Sequence, residues 1–444
     1  MTAAFGRNAI RIASAVVIAL ALATMPPSSG RIFASLARHG ARDAGVATGW
    51  LGVALENFLY AGPLHYGALV AASVAAALVA ISLVERRARL HTTENGALAA
   101  TGLALLCSLD ALKTGGGTAL LACGAAAMLL LETSSTAGIA GFVALTVLWC
   151  NVDAAGLLAP AFAIVWAIGR TLEEAGTPAS RAAWIRAALA TFATLATPLG
   201  TAFPAHALAA LQLDGASGDY ALWSPADVAP HAYRFGLMVV GGFALAVGLR
   251  GRTAREALLG AFAFALALAS GAFVAIFGIV AAPIVVGAFI ARTPRENESR
   301  ANASGWHYAT AAAALVALTL IVVGPRTMPL ASDEPYGALA RLARAGATHR
   351  VFFSDLAWCD AARADGIAVV ADDGIAEAPQ AARDAQIAIV RARKTWRAKM
   401  LAWHVDAVVA RGNSALASLL MQAKWTPFAT TGATVILVPP ARAS

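Results

Sequence analysis

Charge is scarce in this chain. Asp, Glu, Lys and Arg make up only 13% of its 444 residues, against roughly 25% in a typical soluble domain. Up to about residue 325 whole stretches hold none, among them Ile12–Met25, Leu64–Val84, Phe235–Leu249 and Phe273–Ile290. A soluble core cannot hold that many such runs. A bilayer can, because a helix satisfies its own backbone hydrogen bonds and needs only an apolar surface. Cysteine is also sparse, with four in all. Cys107, Cys123 and Cys150 fall in or at the ends of apolar runs, Cys359 stands alone, and no CxxC or Cys/His cluster occurs. That excludes a disulfide framework and gives no sign of a metal. The net charge of +8 comes from scattered arginines beside apolar runs, which is how topology is set, and not from a nucleic-acid-binding face.

What is present is a series of about eleven apolar segments of spanning type, at 9–25, 64–84, 97–110, 117–131, 137–149, 154–168, 184–203, 234–249, 256–270, 272–290 and 306–323. Several are shorter than the roughly 20 residues that a bilayer core demands, and 256–290 reads as two helices or one broken pair. With the N-terminus in the cytoplasm, the inside loops hold Arg7, Arg11, Arg86, Arg87, Arg89, Arg170, Arg181, Arg186, Arg250, Arg252, Arg255, Arg292, Arg295 and Arg300. The outside loops before residue 325 hold only Arg31, Arg38, Arg42, Lys113 and Arg234. This asymmetry places residues 331–444 outside the cytoplasm. The first segment, with Arg7, Arg11 and Ala21-Leu22-Ala23, also fits a cleaved signal peptide; retention is the preferred reading.

Acids sort by side as well. Asp43, Glu56, Asp110, Asp153, Asp214, Asp219 and Asp227 fall outside, while the inside loops carry Glu85, Glu94, Glu132, Glu173, Glu174, Glu256, Glu296 and Glu298 and no Asp. The inside set suits ordinary helix-end surface. The outside set is short-armed and suited to rigid placement, with turn and cap chemistry as the plain alternative. Almost no ionisable residue falls within a spanning segment, which disfavours an ion-coupled carrier. In the first external loop, 31–38 reads as an interfacial helix and Gly49–Tyr60 as a second short helix, with Glu56 as its lone acid.

Several local patterns resemble the GT-C superfamily of polytopic glycosyltransferases. The closest likeness is to the bacterial branch related to the lipopolysaccharide and lipid A glycosyltransferases of the dolichyl-phosphate-mannose–protein mannosyltransferase type. Leu148-Trp149-Cys150-Asn151-Val152-Asp153 resembles a Trp-x-Asn-x-His-Gly motif at the external end of a helix. Thr197-Pro198-Leu199-Gly200 resembles an Asn-Pro-aromatic-Gly turn, and Leu222-Trp223-Ser224-Pro225-Ala226-Asp227 a Glu-Trp-x-Ser-Pro-Asp loop. Ser270–Pro283 resembles a helix that opens with Ser-Arg and ends Ala-Ala-Pro, and Trp50-Leu51 matches a pair late in the first external loop. Val369-Val370-Ala371-Asp372-Asp373-Gly374 resembles a strand ending in Asp-Gly-Arg, and Trp425 matches a tryptophan before the last hairpin. The chain departs from the family at four places. Pro26-Pro27-Ser28-Ser29-Gly30 stands where an aspartate follows the first helix, Asp153 replaces the motif histidine, and Gly271 and Ile375 replace arginines.

The resemblance implies an α-helical polytopic membrane domain over 1–325 and a small extracytoplasmic α/β domain over 331–444. It also implies a bacterial-type plasma-membrane enzyme that moves a sugar from a polyprenyl-phosphate donor to a glycan, lipid or protein acceptor. Such transfer needs a carboxylate to take the acceptor proton, cations or donors for the departing phosphate, and an apolar groove for the prenyl chain. Asp43, on a polar turn between Arg42 and Gly45, is the first choice of base, then Glu56 and Asp153. Lys113, His206, His231 and Arg234 are the available phosphate partners, and Tyr220 and Trp223 are placed to stack on sugar. No cofactor is indicated, although a divalent cation fits such chemistry. The alternatives are a non-catalytic scaffold of the same shape or a lipid-linked-sugar carrier or flippase.

Residues 331–444 alternate helix-like and strand-like runs, as in a small sheet covered by helices. Strands are expected at His349–Ser354, Ile367–Ala371, Ala407–Ala410 and Thr434–Pro439. Helices are expected at Trp358–Arg363, Ala381–His404 and Ser414–Ala423. Asp372, Asp373 and Glu377 read as an acidic turn after a strand, with cation or sugar binding the lesser alternative. The cations of 391–399 face lipid headgroups, acidic glycans or simply water.

Overall fold

The computed structural model describes residues 49–61, 66–109, 111–112, 116–208, 253–269, 273–289, 350–354, 367–370, 380–431 and 434–440, with single positions or short stretches at 11, 15, 18, 22, 240–242, 244–247, 339, 342, 344, 359 and 362. They are mostly helical, with a four-stranded sheet near the C-terminus. The chain divides into two compact units: Met1–Ser28, Thr48–Ala207 and Pro225–Met328 form the first, and Ser29–Ala47, Leu208–Ser224 and Pro329–Ser444 the second. The last boundary falls where the composition changes from apolar to mixed.

The first unit contains α1 (Trp50–Ala61), α2 (Tyr66–His91), α3 (Glu94–Cys107), α4 (Gly116–Leu131), α5 (Thr136–Val152), α6 (Leu158–Glu173), α7 (Pro178–Ala193), α8 (Ala254–Ala269) and α9 (Val274–Phe289). Starts are written in the sequence. Thr93, Ser135 and Thr177 accept hydrogen bonds from the backbone N–H groups of Gly96, Gly138 and Ser180, each relieving an orphan donor of a first turn. Pro178 follows Thr177 at the first helical position, where its missing N–H costs nothing. The segment 256–290 is two helices, α8 and α9. α2 runs seven residues past the expected end at Val84, through Glu85, Arg87 and Arg89 to His91. Among the described residues, Gly67–His91 and Ala154–Glu173 are long and apolar enough to cross a membrane, and Gly117–Leu131, Thr136–Val152 and Val274–Ala288 are apolar but shorter. The segment 306–323 lies outside the described residues, and 9–25 and 234–249 are described only in part.

Small side chains let these helices approach closely. α2, α3, α4 and α9 pack on one another, and α6 packs on α7 and α8. A methyl group placed on Gly278 of α9 would meet Cys107 of α3 at 2.4 Å. Close approach of this kind adds dispersion contacts between the helices. α9 continues through Pro283 to Phe289, so Pro283 sits inside the helix and not at its end as the family pattern implies.

In the second unit, β1 (Val351–Phe353), β2 (Ala407–Arg411), β4 (Thr434–Val438) and β3 (Thr426–Thr431) lie in that spatial order. β1 and β2 are parallel, and β4 is antiparallel to both β2 and β3. Val369 bridges Val351 in parallel on the far side of β1. Strand residues alternate between two cores. Val351, Phe353, Val409 and Ile436 meet Leu339, Leu342 and Cys359, while Phe352, Val408 and Leu437 meet Ile389, Trp396, Met400 and Leu420. Of the expected helix Trp358–Arg363, Cys359 and Ala362 are described and both are helical. The expected long helix Ala381–His404 is in fact two, α10 (Gln380–Val390) and α11 (Trp396–Ala402). The break is a Schellman closure. Ala392 takes φ 50°, Arg393 N–H donates to Ala388 O at 2.9 Å, and Ala392 N–H donates to Ile389 O at 3.0 Å. α12 (Ala415–Gln422) follows β2.

Candidate functional site

Three of the sequence patterns meet at Asn151, at the end of α5. Its Oδ1 accepts from the indole Nε1 of Trp50 at 2.6 Å. Its Nδ2 donates to the carbonyls of Val147 at 2.8 Å and Ala196 at 2.9 Å. One side chain therefore ties α1 to the end of α5 and to the turn that opens Thr197-Pro198-Leu199-Gly200. The amide's acceptor and donors are spent on this fastening, so Asn151 acts as a positioning residue. α1 can come this close because it lacks side chains where it crosses. A methyl on Gly49 or Gly52 would stand 2.7 or 2.5 Å from the carbonyl oxygen of Val152, and Gly49 has φ +85°, a region that favours glycine.

Glu56 is half-buried and lies one helical turn beyond Gly52, on the face of α1 that meets the end of α5. Leu55 and Phe58 point away and are exposed, Phe58 by 75%. Asp153 closes α5 and caps the short 3-10 helix Ala154–Leu157, its Oδ1 accepting from Ala155 N–H at 2.7 Å. It is buried, so the cap chemistry foreseen as the plain alternative for the external aspartates is at work here. His206 is half-buried on the helical stretch 203–208. Asp43, Lys113, Tyr220, Trp223, His231 and Arg234 lie outside the described residues. No group of three or more His, Cys, Asp or Glu with metal-ligand placement occurs among the described residues.

The opposite ends of the helices hold chemistry that the sequence reading missed. The inside glutamates are not ordinary surface. Arg11 pairs with Glu85 at 2.7 Å and Glu94 at 3.1 Å, and Glu85 also accepts from Arg89. Arg87, fully buried, pairs with Glu132 at 3.3 Å. His91 stands between Glu132 and Glu256, 3.3 Å from each. Arg186 donates to the carbonyls of Leu131 and Thr133 at the end of α4. Glu173 accepts from Arg255 N–H at 2.8 Å, and the Arg255 guanidinium lies over the Trp166 ring, 5.1 Å from its centroid. Burial would raise the Glu132 carboxyl, but His91 and Arg87 outweigh it and hold it down at about 2. The overrun of α2 carries Glu85, Arg87 and Arg89 in among neighbouring helices, which is why charges read as solvated are enclosed. Among the described residues the ends of α2, α4 and α6 and the starts of α3 and α8 lie in this network, and Trp50, Asn151, Asp153 and Ala196 lie around the end of α5.

A small apolar cleft of about 20 Å³ is lined by Ile81, Val84, Leu105, Leu121 and Ile279. It lies far below the roughly 300–1,000 Å³ range of small-molecule pockets, so it is a packing gap between helices and not a ligand site. A scan against family models finds no match for this chain, and a search of curated proteins finds none either.

Proposed function

We propose that the chain is a polytopic membrane glycosyltransferase of GT-C type, working at the non-cytoplasmic face. In this reading about eleven helices span the bilayer, the N-terminus is cytoplasmic and residues 331–444 are extracytoplasmic. A sugar passes from a polyprenyl-phosphate donor to a glycan, lipid or protein acceptor. The observation that carries it is the meeting of three family-like patterns through Asn151 at one end of the bundle, with Glu56 on the adjoining face of α1. Sorting of the helix ends into an ionic end and an aspartate-bearing end supports the alternating topology behind it.

The chemistry assigned is general-base transfer. A carboxylate of the first external loop, Asp43 or Glu56, takes the proton from the acceptor hydroxyl as its oxygen attacks the anomeric carbon, and the polyprenyl phosphate leaves. Lys113, His206, His231 and Arg234 are the proposed phosphate partners, and Tyr220 and Trp223 the sugar-stacking groups. Asp153 is the weakest of the three carboxylates for this work, because a cap already holds one of its oxygens. A non-catalytic scaffold of the same architecture is the second reading. It is favoured by that cap and by Gly271 and Ile375 standing where the family has arginine.

Deletion of the gene tests the proposal. The expected result is a surface glycan or glycolipid lacking one sugar, with its lipid-linked donor accumulating. An intact glycan composition with a lipid-linked precursor trapped on the cytoplasmic side would instead identify a carrier. No change in either would leave the scaffold. A reporter active only in the cytoplasm, fused after Ser444, should be silent; activity there would overturn the sidedness and the mechanism together.

A further inference from the structure

One strongly charged surface of the second unit has no role in the transfer chemistry. Residues 385–405 contain five Lys or Arg and no Asp or Glu. The Schellman closure at Ala392 turns the chain so that Arg393 and Lys394 stand exposed between α10 and α11. α11 commits Trp396 and Met400 to the core. A helix that buries those positions must present Arg397, Ala398, Leu401 and Ala402 outward, and all four are exposed. Leu401 is exposed by 69%. Arg397 lies over the Trp396 ring, 5.5 Å from its centroid, so its guanidinium is held by a fixed platform. Among the described residues no ion pair involves Arg393, Lys394, Arg397 or Lys399, whereas Arg11, Arg87 and Arg89 of the first unit each pair with a glutamate.

We propose that the face formed by Arg393, Lys394, Arg397 and Leu401 docks on anionic phospholipid headgroups. The inference rests on the membrane reading given above. Charge complementarity selects an anionic partner, since each cation near a negatively charged bilayer adds to the attraction and nothing within the patch offsets it. The exposed leucine selects lipid over an acidic glycan. A basic surface with a bulky apolar side chain at its centre is the pattern of an interfacial helix, cations at the phosphates and apolar group beneath them. A polysaccharide offers no partner for that side chain.

The full chain in nanodiscs tests this. Acylation of Lys394 by an amine-reactive reagent is followed by mass spectrometry, with Lys424 of the same chain as reference. One set of discs is pure phosphatidylcholine and the other carries about 30% phosphatidylglycerol, enough to make the surface clearly negative. Lys394 should react at least about threefold more slowly on the anionic discs, and about 0.5 M salt should erase the difference. Arg393→Gln with Arg397→Gln, both at exposed positions, should remove most of the protection. Equal rates on the two discs would overturn the proposal, as would equal slowing of Lys424 or protection unchanged in the double variant. Stronger protection by an acidic polysaccharide on neutral discs would assign the surface to a glycan. Recovery of the chain in the soluble fraction before any disc is formed would sink the membrane reading itself, a separate failure from loss of the lipid contrast.

Discussion

The guanidinium of Arg87 serves the carbonyl that Pro283 leaves without a partner. Pro283 has no N–H, so the carbonyl of Ile279, four residues earlier in α9, loses its helical donor. Arg87 Nη1 donates to Ile279 O at 3.2 Å and to Val280 O at 3.2 Å. The same side chain holds Glu132 through Nε. It therefore repairs a broken helix and neutralises a carboxylate at once, which accounts for an arginine buried so deeply among apolar helices.

Arg87→Ala should cost about 3 kcal/mol of stability, because it strands a buried carboxylate partner and an orphan carbonyl. Pro283→Ala supplies the missing N–H. In the Arg87→Ala background it should recover roughly 1 kcal/mol more than it contributes alone. Thermal unfolding in detergent of the two single variants and the double variant measures the coupling. Strict additivity would mean the two residues are unrelated.

Glu132 should make the protein acid-sensitive. Its folded value, about 2, lies below the 4.5 it would have when exposed. A depressed carboxylate contributes stability that is complete above about pH 4.5 and lost as pH falls toward 2, where the folded state must also take up the proton. Glu132→Gln should therefore be less stable than the parent at pH 7, with the gap closing across that window. A gap that is constant with pH would show that the carboxylate's charge contributes nothing.

Glu56 and Gly52 share one face of α1 and should fail in different ways. Glu56→Gln keeps size and hydrogen bonding but cannot take a proton, so transfer should drop roughly 10²–10⁴-fold with folding intact. Gly52→Ala forces a methyl group toward the Val152 carbonyl, 2.5 Å from it, and should lower stability by about 1–3 kcal/mol. Sugar transfer to an isolated acceptor and melting in detergent separate the two. If Glu56→Gln transfers at full rate, the base is Asp43. Asp153→Asn, which retains a capping oxygen, should leave transfer nearly unchanged.

Ala392 is an L-residue in the left-handed region, held there by the closure of α10. Ala392→Gly should raise the stability of the second unit by about 0.5–1 kcal/mol, the relieved strain exceeding the added freedom of the unfolded chain. Denaturant unfolding followed by tryptophan fluorescence would register it. A destabilised variant would mean that the alanine methyl packs more usefully than the strain costs.

That same residue shows where the sequence stopped being legible. Helix C-termini of this type usually carry glycine; here alanine, histidine and lysine fill the left-handed positions at Ala392, His404 and Lys424. With no glycine at 392 the run from 381 to 404 reads as one helix. The caps Thr93, Ser135 and Thr177 mark the starts, but the apolar runs used to place them begin later, at 97, 137 and 184. Seven of the apolar segments between 64 and 290 each coincide with a helix, because a run without charge allows few other structures; 184–203 matches α7 only as far as Ala193, beyond which the chain turns. The fastening role of Asn151 was not legible, since it needs two carbonyls and an indole brought from distant positions. Nor was the ionic end of the bundle: Glu85 or Glu132 alone looks like any helix-end glutamate, and only the overrun of α2 encloses it.

The outermost strand of the sheet carries one more consequence. β3 presents Pro427 and a register shift between Pro427 and Ala429 along its outer rim. Proline withholds a donor and the irregularity bends the rim, so a second copy finds no continuous ladder to extend. On the membrane reading proposed above, copies sit side by side in a two-dimensional sheet of lipid and meet far more often than copies free in solution. For such a population, a blunted rim keeps crowding from turning into fibre growth, and Pro427→Val would remove that safeguard without touching either core.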